Sequence, residues 1–236
     1  QDSLVGSEMC IRDRVIGQNP GTNHPRMLTA LAACKENGGS VVSINPLEET
    51  AMKRFKHPQN PLHLIGRGVQ IADEHLPVRI GGDAALLQGF AKTMLSQGGT
   101  DPDFISKNTL GFEDWKRHIE STDWETIVEQ SGISRDRIEK TGTAIAKSER
   151  MIVCWAMGLT QHENSVAVIQ EVSNLLLAGG HFGKPGAGAC PVRGHSNVQG
   201  DRTVGINHHP TEDFISSCEN ETGINMPRNK GYDCLL

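Results

Sequence analysis

The chain is poor in the features that usually announce a function. Its six cysteines (Cys10, Cys34, Cys154, Cys190, Cys218 and Cys234) are scattered over 236 residues. No Cys-x-x-Cys pair occurs, nor any Cys/His spacing of the zinc or iron–sulfur kind, so this stretch is not expected to hold a metal through thiolates. Dispersed thiols of this sort are expected to be free in a reducing cytoplasm. The longest apolar runs, Met151 to Met157 and Leu175 to Ala178, fall well short of the roughly 20 residues that span a bilayer. No membrane association is expected. Lysine and arginine form no local cluster and the formal charge is −5, which excludes the basic field that holds a nucleic-acid backbone. Gly-x-Gly-x-x-Gly and the Walker lysine loop are both missing, which disfavours an ordinary dinucleotide-binding enzyme.

What is present, 36% hydrophobic and 22% charged residues, suits a globular chain with a sizeable core. The first stretch, Gln1 to Arg14 (QDSLVGSEMCIRDR), has neither hydrophobic period nor signal-peptide layout. It resembles a translated sequencing-adapter peptide and is expected to be non-native and outside the fold; the last residues, from Asp233, read as the start of a similar segment. Truncation on both sides follows as an expectation.

From Val15 onward the grammar is strand, loop, helix, strand. Val15-Ile16 is a strand stub that runs into the turn formers of Gly17 to Pro25. Met27, Leu28, Leu31 and Ala32 give helical spacing up to a cap at Asn37-Gly38-Gly39, and Ser40 to Ile44 is β-branched. Leu47 to His75 reads as loop with one short helix. Leu76 to Ile80 reads as a strand, and a helix behind Asp83 carries Leu86, Leu87, Phe90, Ala91 and Leu95. Helices are expected around Pro102–Lys107, Phe112–Glu120, Trp124–Ser131 and Ser134–Lys147. Met151 to Ala156 has the unbroken apolar character of a central parallel strand, and Glu163 to Ala178 that of a helix. His181 to Gly205 is too rich in glycine and proline for regular structure. The expected fold is α/β, a Rossmann-like parallel sheet flanked by helices. Residues 15–190 form the main domain and 191–236 a site loop returning towards a neighbouring domain.

In an open parallel sheet ligands sit beyond the carboxyl ends of the strands. Gly17 to Asn23, Ile44 to Glu48, Gly81 to Asp83 and Met157 to Gln161 occupy such ends, rich in small and amide-bearing residues. Taken singly, Asp83 reads equally as a helix cap, Gln18 and Asn19 as turn residues, Met157 as core and Gln161 as a solvated amide.

The runs GQNPGTNHP, VVSINP, WAMGLTQHENS and LAGGHFGKPGAGACPVRGHSNVQGD, in this order, resemble the third domain of molybdopterin oxidoreductases, in the formate dehydrogenase alpha-subunit-like (YdeP-like) branch. The resemblance runs from Val15 to about Asn229. It implies a molybdenum bis-molybdopterin guanine dinucleotide cofactor, touched by Gln18, Asn19 and Pro20 after the first strand and by Asn45 and Pro46 near the guanosine. Asp83 would take the guanine edge, and Met157 and Gln161 would line the pterin. Arg193 matches an arginine beside the molybdenum that holds an anionic substrate; taken alone it reads equally as a structural ion pair. His195 stands where formate dehydrogenases carry glutamine, which puts formate itself in question. The metal ligand and a 4Fe-4S cluster would belong to sequence upstream. A small-molecule substrate and an electron-transfer partner are the expected partners. Two other readings stay open, a non-catalytic electron-transfer subunit of the same fold and an unrelated α/β guanine nucleotide-binding module.

Overall fold

The computed structural model describes residues 12–59, 61, 65–194 and 198–232. The chain divides into two compact units, Gln1–Val192 and Arg193–Leu236.

In the first unit five strands form one parallel sheet in the order β3-β2-β1-β4-β5. They are β1 (Arg12–Ile16), β2 (Ser40–Ile44), β3 (Glu74–Leu76), β4 (Met151–Trp155) and β5 (Gly188–Pro191). The expected Rossmann-like fold is therefore the observed one, and its strand order reverses between β1 and β4. Period-2 alternation sends side chains to two apolar layers. Val15, Val41, Ile152 and Cys154 pack against α2 (Met27–Glu36), reached from β1 through a short α1 (Pro20–Asn23). Ile16, Val42, Ile44, Val153 and Trp155 face the other layer. That layer holds α4 (Asp83–Ser96), α6 (Phe112–Ser121), α7 (Trp124–Ser131), α8 (Arg135–Ala146) and α10 (Ser165–Ala178), with α5 (Pro102–Asn108) lying against α10. A short α3 (Thr50–Lys53) follows β2, and a short α9 (Met157–Thr160) follows β4. Every residue of β4 is buried, as a strand covered on both faces requires.

Three expectations need correction. The third strand lies at Glu74–Leu76, not Leu76–Ile80. Pro77 lacks the N–H that a ladder needs, so pairing ends before it. Within His181 to Gly205 there is regular structure after all, β5 and α11 (Val198–Thr203). Edge pairing needs only the backbone, and Gly188, Ala189 and Cys190 leave no apolar rhythm to read. Finally, Arg12, Asp13 and Arg14, set outside the fold on sequence, pair in β1 with both β2 and β4. A ladder is indifferent to side chains, but burial is not. Asp13 and Arg14 are each 2% exposed, and the Arg14 guanidinium donates from Nη1 to the Asp13 carbonyl (3.1 Å). Burial pushes the Asp13 carboxyl up to about 6, against the pull of a Cys34 hydrogen bond and of Arg14.

In the second unit, α12 (Glu212–Thr222) is capped by Thr211, whose hydroxyl accepts from the Phe214 amide (3.3 Å). Arg228 bridges Glu212 (2.8 Å) and Glu219 (2.7 Å) along that helix.

Candidate cofactor cavity at the strand ends

At the carboxyl end of β1 the chain turns at Gly17, whose φ of +57° favours glycine. The Gly158 amide donates to the Gly17 carbonyl (3.0 Å). A Cβ on Gly158 would lie 2.5 Å from Gly17 Cα and from its carbonyl oxygen. Two backbones thus meet where the strand order reverses, and only glycines allow that approach. The following residues turn inward. Gln18 is 2% exposed and donates from Nε2 to the Met27 sulfur (3.2 Å). Asn19 caps α1 through Oδ1 on the Thr22 amide (3.2 Å), and Pro20 is the first residue of that helix.

Glu49 joins the ends of β1 and β2. Its carboxylate accepts from Asn19 Nδ2 (2.7 Å) and from Asn45 Nδ2 (3.1 Å). The loop after β3 is fixed against the end of α7: the Arg79 amide donates to the Ser131 carbonyl (2.9 Å) and its guanidinium to the Glu129 carbonyl (2.6 Å). Gly82 occupies the cap of α4, so Asp83 is the first helical residue and not the cap expected as its plain structural role.

These loops enclose a cavity of about 250 Å³ lined by Gly17, Asn45, Pro46, Ile80, Asp83, Met157, Gly158, Gln161 and His162. Five residues expected from the sequence, Asn45, Pro46, Asp83, Met157 and Gln161, therefore meet on one wall-to-wall space drawn from four strand ends. Gln18, Asn19 and Pro20 do not line it. Arg193 belongs to the second unit and is exposed; His195 lies outside the described residues. Two contributors were missed. His162 places Nε2 3.8 Å from Asp83 Oδ2, although nothing in the local sequence ties the two together. Glu49 could have been found, since it stands four residues after Asn45.

The electrostatics are those of a lone carboxylate in a wall without Lys or Arg. Asp83 is 5% exposed. Burial raises its pKa, opposed by His162 and by its own backbone amide, its partners among the described residues. A carboxylate carries about four acceptor sites, so most of this one's capacity remains for a donor entering the cavity.

A sequence model of the molybdopterin oxidoreductases matches residues 14–227. The chain belongs to that family. An uncharacterized oxidoreductase of Mycobacterium tuberculosis is 44% identical over 227 residues, 94% of this chain and 29% of that protein. Protein YdeP of Escherichia coli is 42% identical over 243 residues, 98% of this chain and 32% of its own length. Formate dehydrogenase H of Escherichia coli is 29% identical over 228 residues, 92% of this chain and 29% of that one. Acetylene hydratase from Pelobacter acetylenicus shares the fold, with a TM-score of 0.62 at 21% identity over 75% of this chain and 22% of that chain. The chain thus spans about a third or less of the length of these relatives. The family carries a molybdopterin cofactor. Among the described residues no helix is long and apolar enough to cross a membrane.

Proposed function

We propose that the cavity takes the guanine end of a molybdopterin guanine dinucleotide, and that the chain is one part of a molybdenum bis-molybdopterin guanine dinucleotide oxidoreductase with formate dehydrogenase-like two-electron chemistry. The observation that carries this reading is the buried Asp83 carboxylate, with spare acceptor sites, on a cavity wall without Lys or Arg. Guanine offers two adjacent N–H donors on its pairing edge, which a carboxylate can accept together; adenine offers an acceptor there and would be repelled. A volume of about 250 Å³ is slightly below the ~300 Å³ at which whole small-molecule sites begin, fitting one end of a dinucleotide. The chemistry of the donor set therefore fits the cofactor.

In this reading Asn45 and Pro46 flank the guanosine, and Met157 and Gln161 lie towards the pterin. Gly17 and Gly158 keep side chains out of the cavity floor. Gln18, Asn19 and Pro20 act by shaping the β1 loop. When bound, molybdenum would supply the two-electron exchange. This chain binds and orients: Arg193 would hold a small anionic substrate through its forked donors, and His195 in the place of glutamine would alter which substrate is accepted. The metal ligand and a 4Fe-4S cluster would come from sequence upstream, and electrons would pass to a separate electron-transfer partner.

Calorimetric titration with guanosine monophosphate and adenosine monophosphate tests the base end. Guanosine monophosphate should bind more tightly, and Asp83→Asn should cost roughly ten- to hundredfold, the worth of charge-assisted hydrogen bonds. Equal affinity for the two bases would remove the assignment. For the whole protein, molybdenum near one atom per chain by elemental analysis is the expected result; none, in protein made with the cofactor available, would favour a non-catalytic subunit.

A further inference from the structure

Strands β4 and β5 pair with Cys154 directly opposite Cys190. Register partners in a parallel ladder project to the same face, and neighbouring strands lie about 4.8 Å apart. That is inside the roughly 4.4–6.8 Å of Cα separation that a disulfide accepts. Both cysteines are free thiols, Cys154 fully buried and Cys190 half-buried, and they are hydrogen-bonded to each other.

The pair is asymmetric. The hydrogen bond from Cys154 brings the Cys190 thiol below its ordinary value, despite burial. The same bond, together with burial, pushes Cys154 far up. One sulfur therefore forms thiolate and meets solvent, while the other is a protonated neighbour held in contact, the arrangement of an oxidation-prone cysteine beside a resolving one. Cys34, on the same face, is pushed up to about 12 by burial and by Asp13, so it stays protonated. The location matters for the site. Cys154 is followed by Trp155, Ala156 and the cavity residue Met157, and Cys190 by Pro191, Val192 and Arg193.

We propose that Cys154 and Cys190 form an oxidation site for hydroperoxides, closing to a disulfide across β4 and β5. In the first step the Cys190 thiolate attacks a peroxide oxygen and the O–O bond breaks, giving a Cys190 sulfenic acid and hydroxide. In the second the Cys154 sulfur bonds to Cys190 and the sulfenic oxygen leaves as water with the Cys154 proton. Two thiols are oxidised by two electrons, and one hydrogen peroxide is reduced to water. The site does not depend on the cofactor reading.

The test exposes the 236-residue chain to a few equivalents of hydrogen peroxide, then alkylates it under denaturing conditions. Trypsin alone would leave both cysteines in one peptide, because Lys184 precedes Pro185. A second, glutamate-specific protease cuts after Glu163 and Glu171 and separates them. The expected product is a cross-linked peptide pair carrying Cys154 and Cys190, released by dithiothreitol. In Cys154→Ser, Cys190 should instead be captured by dimedone as sulfenic acid, far more than in the unmodified chain. Full alkylation of both residues after peroxide treatment would overturn the proposal. So would a cross-link from Cys190 to Cys34, or equal dimedone capture with and without Cys154.

Discussion

The titration of Asp13 should weigh heavily on the stability of the sheet. It lies in a central strand, 2% exposed, and burial moves its carboxyl from 3.8 to about 6. Below pH 3.8 both folded and unfolded chains hold the proton, and the shift has no effect. Between 3.8 and about 6 the unfolded chain releases its proton while the folded one keeps it, so stability falls as pH rises. Above about 6 the cost levels off at about 3 kcal/mol, at 1.36 kcal/mol for each tenfold change in acidity. His181 does the opposite. It is 1% exposed and its Nδ1 has no hydrogen-bond partner among the described residues. Burial lowers its pKa from 6.5 to about 4, helped by Lys184 and Arg14 and opposed by Asp101. Stability present above pH 6.5 is lost as pH falls towards 4, again by about 3 kcal/mol. Over the shared window the two effects cancel, and the wild-type chain should be nearly indifferent to pH there.

Single variants should uncover what the wild type hides. Asp13→Asn removes the gain on acidification, so its stability relative to wild type should change by about 3 kcal/mol between pH 7.5 and pH 3. With a urea m-value of about 2–3 kcal/mol/M, the relative midpoint moves by about 1–1.5 M. The reporter is tryptophan fluorescence, since Trp115, Trp124 and Trp155 all belong to the first unit. Packing changes from the substitution displace both ends of the curve equally, so the slope is the readout. Parallel midpoint curves for wild type and Asp13→Asn across this range would refute the reasoning.

Gly158→Ala drives a Cβ to 2.5 Å from the Gly17 backbone. Its chemical-denaturation stability should fall by about 2–4 kcal/mol, overpacking plus a weakened hydrogen bond. Gly38→Ala, with φ of +81° but nothing within 4 Å of the new Cβ, controls for backbone strain alone and should cost about 1–2 kcal/mol. Asp83→Asn should make the fold more stable at pH 7 than wild type while weakening guanosine monophosphate, because a raised carboxyl pKa is a cost of folding at neutral pH. Glu49→Ala removes the acceptor that Asn19 and Asn45 share and should lower guanosine monophosphate affinity roughly tenfold in titration. Glu49→Gln, still an acceptor at one oxygen, should recover part of it.

The sequence announced those parts of the fold whose side chains carry a pattern. Met151 to Trp155 is apolar throughout because both its faces are covered, and α4 shows its buried leucines at helical spacing. Edge strand β5 pairs through its backbone, and its Gly-Ala-Cys-Pro shows no apolar period to read. Strand β3 was misplaced because Val78 and Ile80 look like strand residues, whereas Pro77 ends the ladder before them. The site divides on the same line. Asn45, Pro46, Asp83, Met157 and Gln161 were legible because any residue at a parallel strand end is a candidate by position. Whether such a residue faces the ligand or the core was not legible, since Gln18 turns in to Met27 and Asn19 to its helix and Glu49. His162 escaped because its partner Asp83 is distant in sequence and meets it only through the packing of the loops.

If the cavity takes a nucleotide as proposed, the geometry at the switch point accounts for the missing glycine-rich phosphate loop. In dinucleotide enzymes the first loop opens onto a long helix whose free N–H groups take the pyrophosphate. Here α1 runs only Pro20–Asn23, begins with a proline and has its cap filled by Asn19. The crevice between β1 and β4 is itself closed by the Gly17–Gly158 contact. What stays open lies beside α4, and the first residue of that helix is Asp83. A carboxylate in that place repels phosphate and attracts the donor edge of a base. On the proposed reading, the same sheet that elsewhere grips a nucleotide by its charge would grip it here by its base.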